Sequence, residues 1–333
     1  MDRAGSSLVL GDLDADPTAH LAQGAVVRSV GRAVRIGAGS MVLENSVVAG
    51  GPDAPVAIGA KVVFGHRCLV LGAAVGDLSE IGNGTVILPG ARLGERVFTG
   101  EGALIPAGAQ IPDGAVVVGR PGRRIRFADD GDLKRLAGLR GGDLTIPTST
   151  PQLVSGRPPA GAAMGTIYEY RGIRPTIDDS AVLLTSAEVT GDVHVGARTI
   201  IGAGVKIIGD SHGPVRIGAD VQILENTVLH LLPDNELVIE DGVVVGPGCM
   251  IHGCHIGAGT VVEPGATVCD WSRVGAGSIV GAGAVVKQRS TFGDGVVIDG
   301  FPAKEVATLA APPPLPTWAF RPGDLASLVE LRS

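Results

Sequence analysis

The stretch IEDGVVVGPGCMIHGCHIGAGTVVEPGATV, residues 239–268, repeats one pattern about every six residues. Each repeat begins with an aliphatic side chain, and a glycine or another small residue often follows it directly. A period of six fits neither the 3.6-residue period of a helix nor the alternation of an ordinary strand. It predicts one short strand followed by a tight corner, so that three repeats form a triangular coil of 18 residues.

The same period continues to Ile298 and appears again in the first half of the chain, from Ile58 to Val117. Each aliphatic residue should point inward and stack on its equivalent one coil away, about 4.8 Å along the axis. A single coil cannot bury its inner face, so the stacked coils must form the core. We therefore predict an all-β fold with two tandem left-handed parallel β-helix (hexapeptide repeat) domains and short C-terminal helices.

The two halves match each other at a constant offset of 181 residues. VRIG at 34–37 matches VRIG at 215–218, and LEN at 43–45 matches LEN at 224–226. This regularity predicts a tandem duplication.

The predicted domain boundaries follow from composition. The first β-helix domain covers 1–143 and the second covers 166–333, with a helical tail at its C-terminal end. Residues 144–165 are rich in Pro, Gly and Thr and are predicted to be a linker.

Composition narrows the class of protein. Aromatic residues make up only 3% of the 333 residues, Gly occurs 52 times, and the formal net charge is −7. There is no basic run interleaved with aromatic residues, which argues against nucleic-acid binding. No apolar run approaches the roughly 20 residues of a membrane span, and the first residues lack the apolar segment of a signal peptide. We expect a cytoplasmic protein that binds neither nucleic acid nor membranes.

Two of the seven histidines occupy equivalent positions. His230 follows the inward Leu229 and His252 follows the inward Ile251, so both should point outward from the same side of the coil. They are 22 residues apart, which is one coil plus four residues that the loop LLPDNE accommodates. A spacing of roughly 5 Å suits two imidazoles that converge on one metal ion. A catalytic zinc site needs a third protein ligand.

The third candidate emerges when one half is laid on the other. Positions 230 and 252 correspond to Ala49 and Leu71, whereas Pro247 corresponds to His66. The first half therefore has a histidine only where the second half lacks one. His66 belongs to the preceding side of its own coil, so it should reach a metal only on a neighbouring β-helix.

These segments resemble the γ-class carbonic anhydrase family. The family pattern is a histidine that ends the strand after N-I-Q-D-N, followed by I-G-H-x4-H-G-C. The second half has QILENTVLH at 222–230 and VGPGCMIHGC at 245–254, and the first half has MVLENSVVA at 41–49 and FGHRCLVLGA at 64–73.

The resemblance implies a fold, a cofactor and a ligand set. The fold is a β-helix that usually assembles as a ring of three subunits, with zinc or iron between subunits; Zn2+, or Fe2+ or Co2+, is the expected cofactor here. The first and third ligands would be His230 and His252, and the middle one, given by a neighbour, would be His66. The lost positions would form an opposite interface without ligands.

Further site residues follow from the same resemblance. Arg28 matches an Arg, and Asp210 an Asp, of an Arg-Gly-Asp run that pairs across the family's subunit contact, although ordinary solvated charges fit these two residues equally well. The family's Gln is replaced by Leu43 and Leu224, while the following acid remains as Glu44 and Glu225. Glu225 is the candidate proton acceptor beside the metal.

The implied activity is a metal-dependent hydratase or lyase acting on CO2 and bicarbonate, or on a larger, more apolar organic acid, because the pocket has lost a polar group. A homo-oligomer is an open expectation. Two other functions remain. Hexapeptide acyl-CoA transferases use a loop histidine as general base, for which His212 is available, and GFPAK at 300–304 occurs in them too. The third is a non-catalytic assembly scaffold.

The remaining histidines and cysteines of the opening stretch have simpler interpretations. His255 precedes the inward Ile256 and is expected at the surface. Cys249 matches Cys68 in the first half and is expected to be a small wall residue, and Cys254 is not a family ligand.

Overall fold

The computed structural model describes residues 1–147, 151–154, 165–210 and 213–328. The chain divides into two compact units, one formed by Met1–Pro158 with Phe320–Ser333 and the other by Pro159–Ala319. Nearly all regular structure in both units is β, which confirms the predicted all-β class.

The first unit contains 21 strands among its described residues. They are β1 (Asp2–Arg3), β2 (Leu8–Leu10), β3 (Leu13–Ala15), β4 (His20–Leu21), β5 (Val26–Ser29), β6 (Val34–Ile36), β7 (Met41–Val42), β8 (Val47–Gly50), β9 (Val56–Ile58), β10 (Val63–Phe64), β11 (Leu69–Leu71), β12 (Ala74–Val75), β13 (Glu80–Ile81), β14 (Val86–Ile87), β15 (Arg92–Leu93), β16 (Phe98–Thr99), β17 (Leu104–Ile105), β18 (Gln110–Ile111), β19 (Ala115–Val118), β20 (Arg123–Phe127) and β21 (Gln152–Val154).

Every third strand of this unit joins the same sheet. Sheet A runs from β1 and β4 through β19 to β20, sheet B from β2 to β17, and sheet C from β3 to β18. The successive strands of each sheet are parallel, while the final β20 and the late β21 pair antiparallel with β19 and β3. A 3-10 turn at Val30–Arg32 and two helices, α1 (Asp130–Leu139) and α2 (Asp324–Leu328), complete the unit.

The second unit repeats the three-sided arrangement. Its strands are β22 (Thr166–Tyr168), β23 (Thr176–Ile177), β24 (Val182–Leu183), β25 (Glu188–Gly191), β26 (Val193–Val195), β27 (Ile200–Ile201), β28 (Lys206–Gly209), β29 (Val215–Ile217), β30 (Gln222–Ile223), β31 (Val228–His230), β32 (Leu237–Ile239), β33 (Val244–Val245), β34 (Met250–His252), β35 (His255–Ile256), β36 (Val261–Val262), β37 (Thr267–Val268), β38 (Arg273–Val274), β39 (Ile279–Val280), β40 (Val285–Val286), β41 (Thr291–Phe292), β42 (Val296–Gly300) and β43 (Ala303–Thr308). Sheets D, E and F begin at β22, β23 and β24, and β43 closes sheet F antiparallel to β42.

The inward positions predicted from the period form the core of each unit. Val245, Ile251 and Val262 are fully buried in the second unit, and Phe64 and Val70 are fully buried in the first. The two units have separate aliphatic cores, each made of side chains stacked along its own axis. Because the chain contains so few aromatic residues, branched aliphatic side chains fill almost the whole interior.

The position after each inward side chain requires a small residue for a steric reason. A Cβ added to Gly275 would lie 2.3 Å from the carbonyl carbon of Gly293, one coil further on. The corners of successive coils therefore stack too closely for a side chain at this position. The opposite corner requires a left-handed backbone, and the last residue of each LEN segment supplies it, with φ of 58° at Asn45 and 56° at Asn226. Asparagine adopts this conformation more readily than most residues.

The structure differs from the predicted domain boundaries in two places. Part of the predicted linker 144–165 forms β21, whose backbone pairs with β3 of the first unit. The C-terminal tail predicted for the second domain groups with the first unit instead. There the Phe320 ring lies 4.5 Å from the guanidinium carbon of Arg28, and the Leu328 side chain lies beside Gly11. Composition marked the segments as irregular but carried no signal for these long-range contacts.

None of the described helices is both long and apolar enough to span a bilayer.

Candidate metal centre

His230 and His252 lie side by side on the outer face of sheet D. The two residues are direct register partners on β31 and β34, next to the buried Leu229 and Ile251. Their ring centroids are 5.6 Å apart and the ring planes are nearly perpendicular, at 81°. Both side chains are about a quarter to a third exposed, at 26% and 30%. The extra four residues between them form the loop after β31, so the register of the coil is kept.

A buried carboxylate orients His252. Asp270 Oδ2 lies 3.2 Å from His252 Nδ1, and the Asp270 side chain is only 4% exposed. Its other oxygen, Oδ1, accepts the backbone N–H of Leu232 at 3.0 Å and the side-chain amide of Asn235 at 3.3 Å. Because an ionised carboxylate only accepts, the hydrogen of His252 belongs on Nδ1, and Nε2 keeps its lone pair. A carboxylate behind an imidazole in this way is typical of histidines that bind metals.

Asp270 is a residue that the sequence analysis missed. It lies 18 residues after His252, which is one full coil, so the repeat length itself carried the signal. Counting one coil forward from each candidate histidine would have found it.

Asp210 lies next to His230 within the second unit. Its Oδ2 is 3.6 Å from His230 Nε2, which is longer than a hydrogen bond. The family resemblance predicts that Asp210 pairs with Arg28, and that pairing stays a prediction. Arg28 itself is buried in the first unit, with its guanidinium over the ring of Phe320.

Glu225 is completely buried in the corner that follows β30. Its backbone carbonyl accepts the N–H of Gly248, which ties it to the corner one coil further on. Leu224, which stands where the family has Gln, is also fully buried. The position therefore offers a carboxylate beside an aliphatic wall, without the amide of the family pattern.

His66 lies in the first unit, at the corner between β10 and β11. Its side chain is 54% exposed, and Nδ1 lies 2.8 Å from Glu44 Oε2. The pKa of Glu44 is held below its ordinary value, first by its own backbone N–H and then by the ring of His66. Glu44 occupies the position in the first half that Glu225 occupies in the second. A carboxylate thus lies beside Nδ1 of His66, as one does beside Nδ1 of His252.

The two cysteines near His252 are poor ligand candidates. Cys249 and Cys254 are both buried, and burial raises the pKa of both thiols, that of Cys249 to about 12. Cys249 Sγ donates to the carbonyl oxygen of Glu263 at 3.2 Å. Since a metal ligand is the thiolate, both residues fit better as small, neutral wall side chains.

Across the described ranges, no group of three or more His, Cys, Asp or Glu side chains is already arranged to hold a metal ion. The structure brings two of the three predicted ligands together, in the second unit, and places the third in the first unit. His212, the loop histidine of the acyltransferase hypothesis, lies outside the described residues. His255 is on sheet E, where its Nε2 lies 2.6 Å from Glu240 Oε1.

Comparisons with known proteins agree with the hexapeptide-repeat fold. The family model for the bacterial transferase hexapeptide (six repeats) matches residues 237–270. The carbonic anhydrase of Geobacillus kaustophilus is 36% identical over 108 residues, covering 32% of this chain and 59% of that protein. Gamma carbonic anhydrase 1, mitochondrial, of Arabidopsis thaliana is 33% identical over 102 residues, covering 29% of this chain and 37% of that protein.

A solved structure from Bacillus cereus, described as a candidate acetyltransferase, is 33% identical. It aligns with 45% of this chain and 86% of its own, with a TM-score of 0.44. The chain covers less than two thirds of the length of either curated relative. The comparisons thus show similarity to hexapeptide-repeat proteins over residues 237–270 and, over about a third of this chain, to carbonic anhydrases that include a γ-class enzyme.

Proposed function

We propose that this protein is a metal-dependent lyase or hydratase of the γ-class carbonic anhydrase type, with His230, His252 and His66 as ligands. The observation that carries the proposal is the pair of neighbouring imidazoles on β31 and β34, one of which is oriented by the buried Asp270. The carbonic anhydrase relatives cover this chain only in part, so the activity rests on the side chains themselves.

The residues fit a divalent metal. Asp270 accepts from His252 Nδ1, which leaves the Nε2 lone pair of His252 for a metal ion, and Glu44 lies beside Nδ1 of His66. His230 stands beside His252 at a spacing that suits a shared ion. Zn2+ is the expected cofactor, and Fe2+ or Co2+ suit the same ligands. When bound, such an ion supplies Lewis acidity that makes water nucleophilic near neutral pH.

The chain's own groups would position the substrate and move the proton. Glu225, completely buried beside Leu224, is the proposed proton acceptor. Arg28 and Asp210 are proposed to act as the charged pair of the family pattern. Aliphatic side chains at Leu43 and Leu224 remove an amide that would orient a small polar substrate. The pocket therefore favours either CO2 and bicarbonate with reduced efficiency or a larger, more apolar organic acid.

Metal content together with CO2 hydration tests this proposal. The wild-type protein should contain about one metal ion per chain. His66→Ala, His230→Ala and His252→Ala should each lose both metal and hydration activity. His194→Ala is the matched control, because His194 points outward from β26 on a different sheet of the same unit. If His66→Ala keeps its full metal content, His66 is not the third ligand.

A mixture of variants tests where the ligands come from. His66→Ala and His252→Ala protein, unfolded and refolded together, should regain no activity if each chain supplies all of its own ligands. Recovery of activity would show that ligands are shared between chains of a homo-oligomer. Sedimentation of the wild-type protein gives the oligomeric state directly.

Acyl transfer is the second candidate function, and the transferase hexapeptide model that matches residues 237–270 favours it. Turnover of acetyl-CoA with a panel of amine and hydroxyl acceptors, lost in His212→Ala and unaffected by chelators, would support it. A protein that contains no metal and has neither activity would instead be a non-catalytic assembly scaffold.

A further inference from the structure

Residues 143–147 and 151–154 are the described parts of the chain that follow α1, and together we call them the strap. Pro147 and Pro151 of the strap lie against the outer face of sheet C. At its beginning, Lys61 Nζ donates to the carbonyl oxygen of Asp143 at 2.7 Å and to its carboxylate at 3.0 Å. This contact holds the pKa of Asp143 down, at about 2. At its end, β21 pairs antiparallel with β3. Each described part of the strap is thus bonded to the first unit.

A cleft of about 480 Å³ lies between the strap and sheet C. Pro147 and Pro151 contribute one wall, and the strands of sheet C form the floor. The floor is an outward ladder in direct register: Arg35 pairs with Ala57, Ala57 with Ala74, and Ala74 with Arg92. Two alanines therefore lie between two arginines. Three strand spacings separate the arginines, which is about 14 Å along the coil axis.

Neither arginine of this ladder is paired with a described carboxylate, because Asp14, the register neighbour of Arg35 on β3, is paired with Arg32. Arg35 and Arg92 are exposed and form no ion pair or hydrogen bond with another described residue. One carboxylate, that of Asp77, also lines the cleft and would oppose an anion. Its Oδ1 accepts the backbone N–H of Ala60 at 2.7 Å, which spreads part of its charge into the corner. The cleft thus carries two arginine cations and one aspartate carboxylate, in a protein with a net charge of −7.

The geometry points to a binding site for an elongated dianion whose two anionic groups contact Arg35 and Arg92. The alanine floor leaves room for an unbranched apolar segment between those groups, and the two proline rings offer it an apolar wall. The ligand class is a linear α,ω-dicarboxylate. At about 1.2 Å per extended bond, a chain of roughly ten to twelve carbons spans the distance between the arginines. This site is independent of the proposed metal centre.

Calorimetric titration with a series of dicarboxylates tests the inference. Decanedioate and dodecanedioate should bind with a Kd at least about fivefold lower than that of hexanedioate, because the shorter diacid bridges the two arginines only if both side chains bend toward each other. The monoanion octanoate should bind no better than hexanedioate. Equal binding of all four molecules, or no saturable binding of any, would overturn the proposal.

Variants test the two arginines separately. Arg35→Gln and Arg92→Gln should each abolish the preference for the longer diacids, since either leaves one charged contact. Arg123→Gln is the matched control, because it removes an exposed positive charge from β20 on sheet A of the same unit. If Arg123→Gln weakens the binding of decanedioate as much as Arg35→Gln does, the binding reflects only the overall positive charge of the surface, and the assigned site is wrong. Exposed Arg→Gln changes should leave the fold intact, which circular dichroism checks.

Discussion

At the scale of single residues, the most informative side chain is one that holds another in place. Asp270 is almost fully buried, and it connects the ring of His252 with the loop that carries Leu232 and Asn235. A buried carboxylate is costly unless its oxygens are satisfied. Here both oxygens have hydrogen-bond partners, and one of them holds the ring of His252 through Nδ1.

The first prediction concerns this carboxylate. Asp270→Asn keeps the size of the side chain and an oxygen that can accept hydrogen bonds from the loop. It removes the negative charge beside Nδ1 of His252. We expect the affinity for Zn2+ to fall about 10- to 100-fold, the usual loss for an outer partner of a metal ligand. Competition with a chromophoric chelator measures it. Asp294→Asn is the control, because among the described residues Asp294 accepts the corner N–H of Ala276 and no other hydrogen bond. Unchanged affinity in Asp270→Asn would remove Asp270 from the site.

The second prediction concerns Glu263, which follows β36 and is partly buried. Burial raises the pKa of this carboxyl to about 7, and the charge of Asp299 adds to the effect. A raised pKa means that the folded state prefers the protonated form. Stability from this group is therefore fully present below the unfolded pKa near 4.5 and is lost as the pH rises to about 7.

Glu263→Gln should remove that pH dependence. The neutral amide cannot ionise, so we expect the variant to be more stable than wild type by about 2–4 kcal/mol at pH 8 and about equal to it at pH 4. Thermal unfolding at both pH values measures the difference. Glu305→Gln, on the exposed β43, should change neither value. A variant that gains nothing at pH 8 would show that Glu263 ionises freely in the folded protein.

At the scale of elements, α1 shows how a polar cap and a small apolar contact together fix a short helix. Asp129 accepts the N–H of Asp132 at 3.0 Å, and the Asp132 carboxylate accepts the N–H of Asp129 at 3.0 Å, which forms a capping box. Arg126 pairs with Asp132 and, as the main cause, lowers the pKa of that carboxyl. Leu136 then packs fully buried against Leu78 and Phe98 of the coil.

The third prediction is the effect of removing that apolar contact. Leu136→Ala should lower stability by about 2–5 kcal/mol, the range for truncating a buried leucine. The loss is limited by the free energy with which α1 packs on the coil, because a helix that has detached loses nothing more. Hydrogen exchange should report the loss at the amides of α1, while the strands of sheet C stay protected. Leu139→Ala, at a side chain that is 59% exposed, should cost less than about 0.5 kcal/mol. Equal effects of the two variants would contradict the packing of Leu136.

At the scale of the whole molecule, each unit is a stack in which a coil contacts mainly its neighbours. The strand pairs along sheets A to F are almost all one coil apart. Stability in such an architecture is nearly a sum of coils and nearest-neighbour interfaces. Damage to one coil should therefore spread only to the coils beside it.

The fourth prediction uses the largest fully buried side chain, Phe64 on β10. Phe64→Ala should cost about 3–5 kcal/mol, because it removes a ring and leaves a cavity that stiff neighbouring coils fill poorly. We expect hydrogen exchange to rise most in β7, β10 and β13, which flank the change. The strands of sheet D, in the other unit's separate core, should keep their protection. A uniform rise in exchange across both units would show that the two cores unfold together.

The sequence by itself determined the period, the inward side chains, the corners and the neighbouring positions of His230 and His252. These features are local, because a six-residue repeat forces each aliphatic residue to the same side of every coil. The tertiary structure alone decided the partners of those side chains: Asp270 behind His252, Glu44 behind His66, and Phe320 over Arg28. It also decided that β21 and the C-terminal tail pack on the first unit. Such contacts depend on which coil a distant segment meets, and nothing in the composition of a Pro-rich segment encodes that choice.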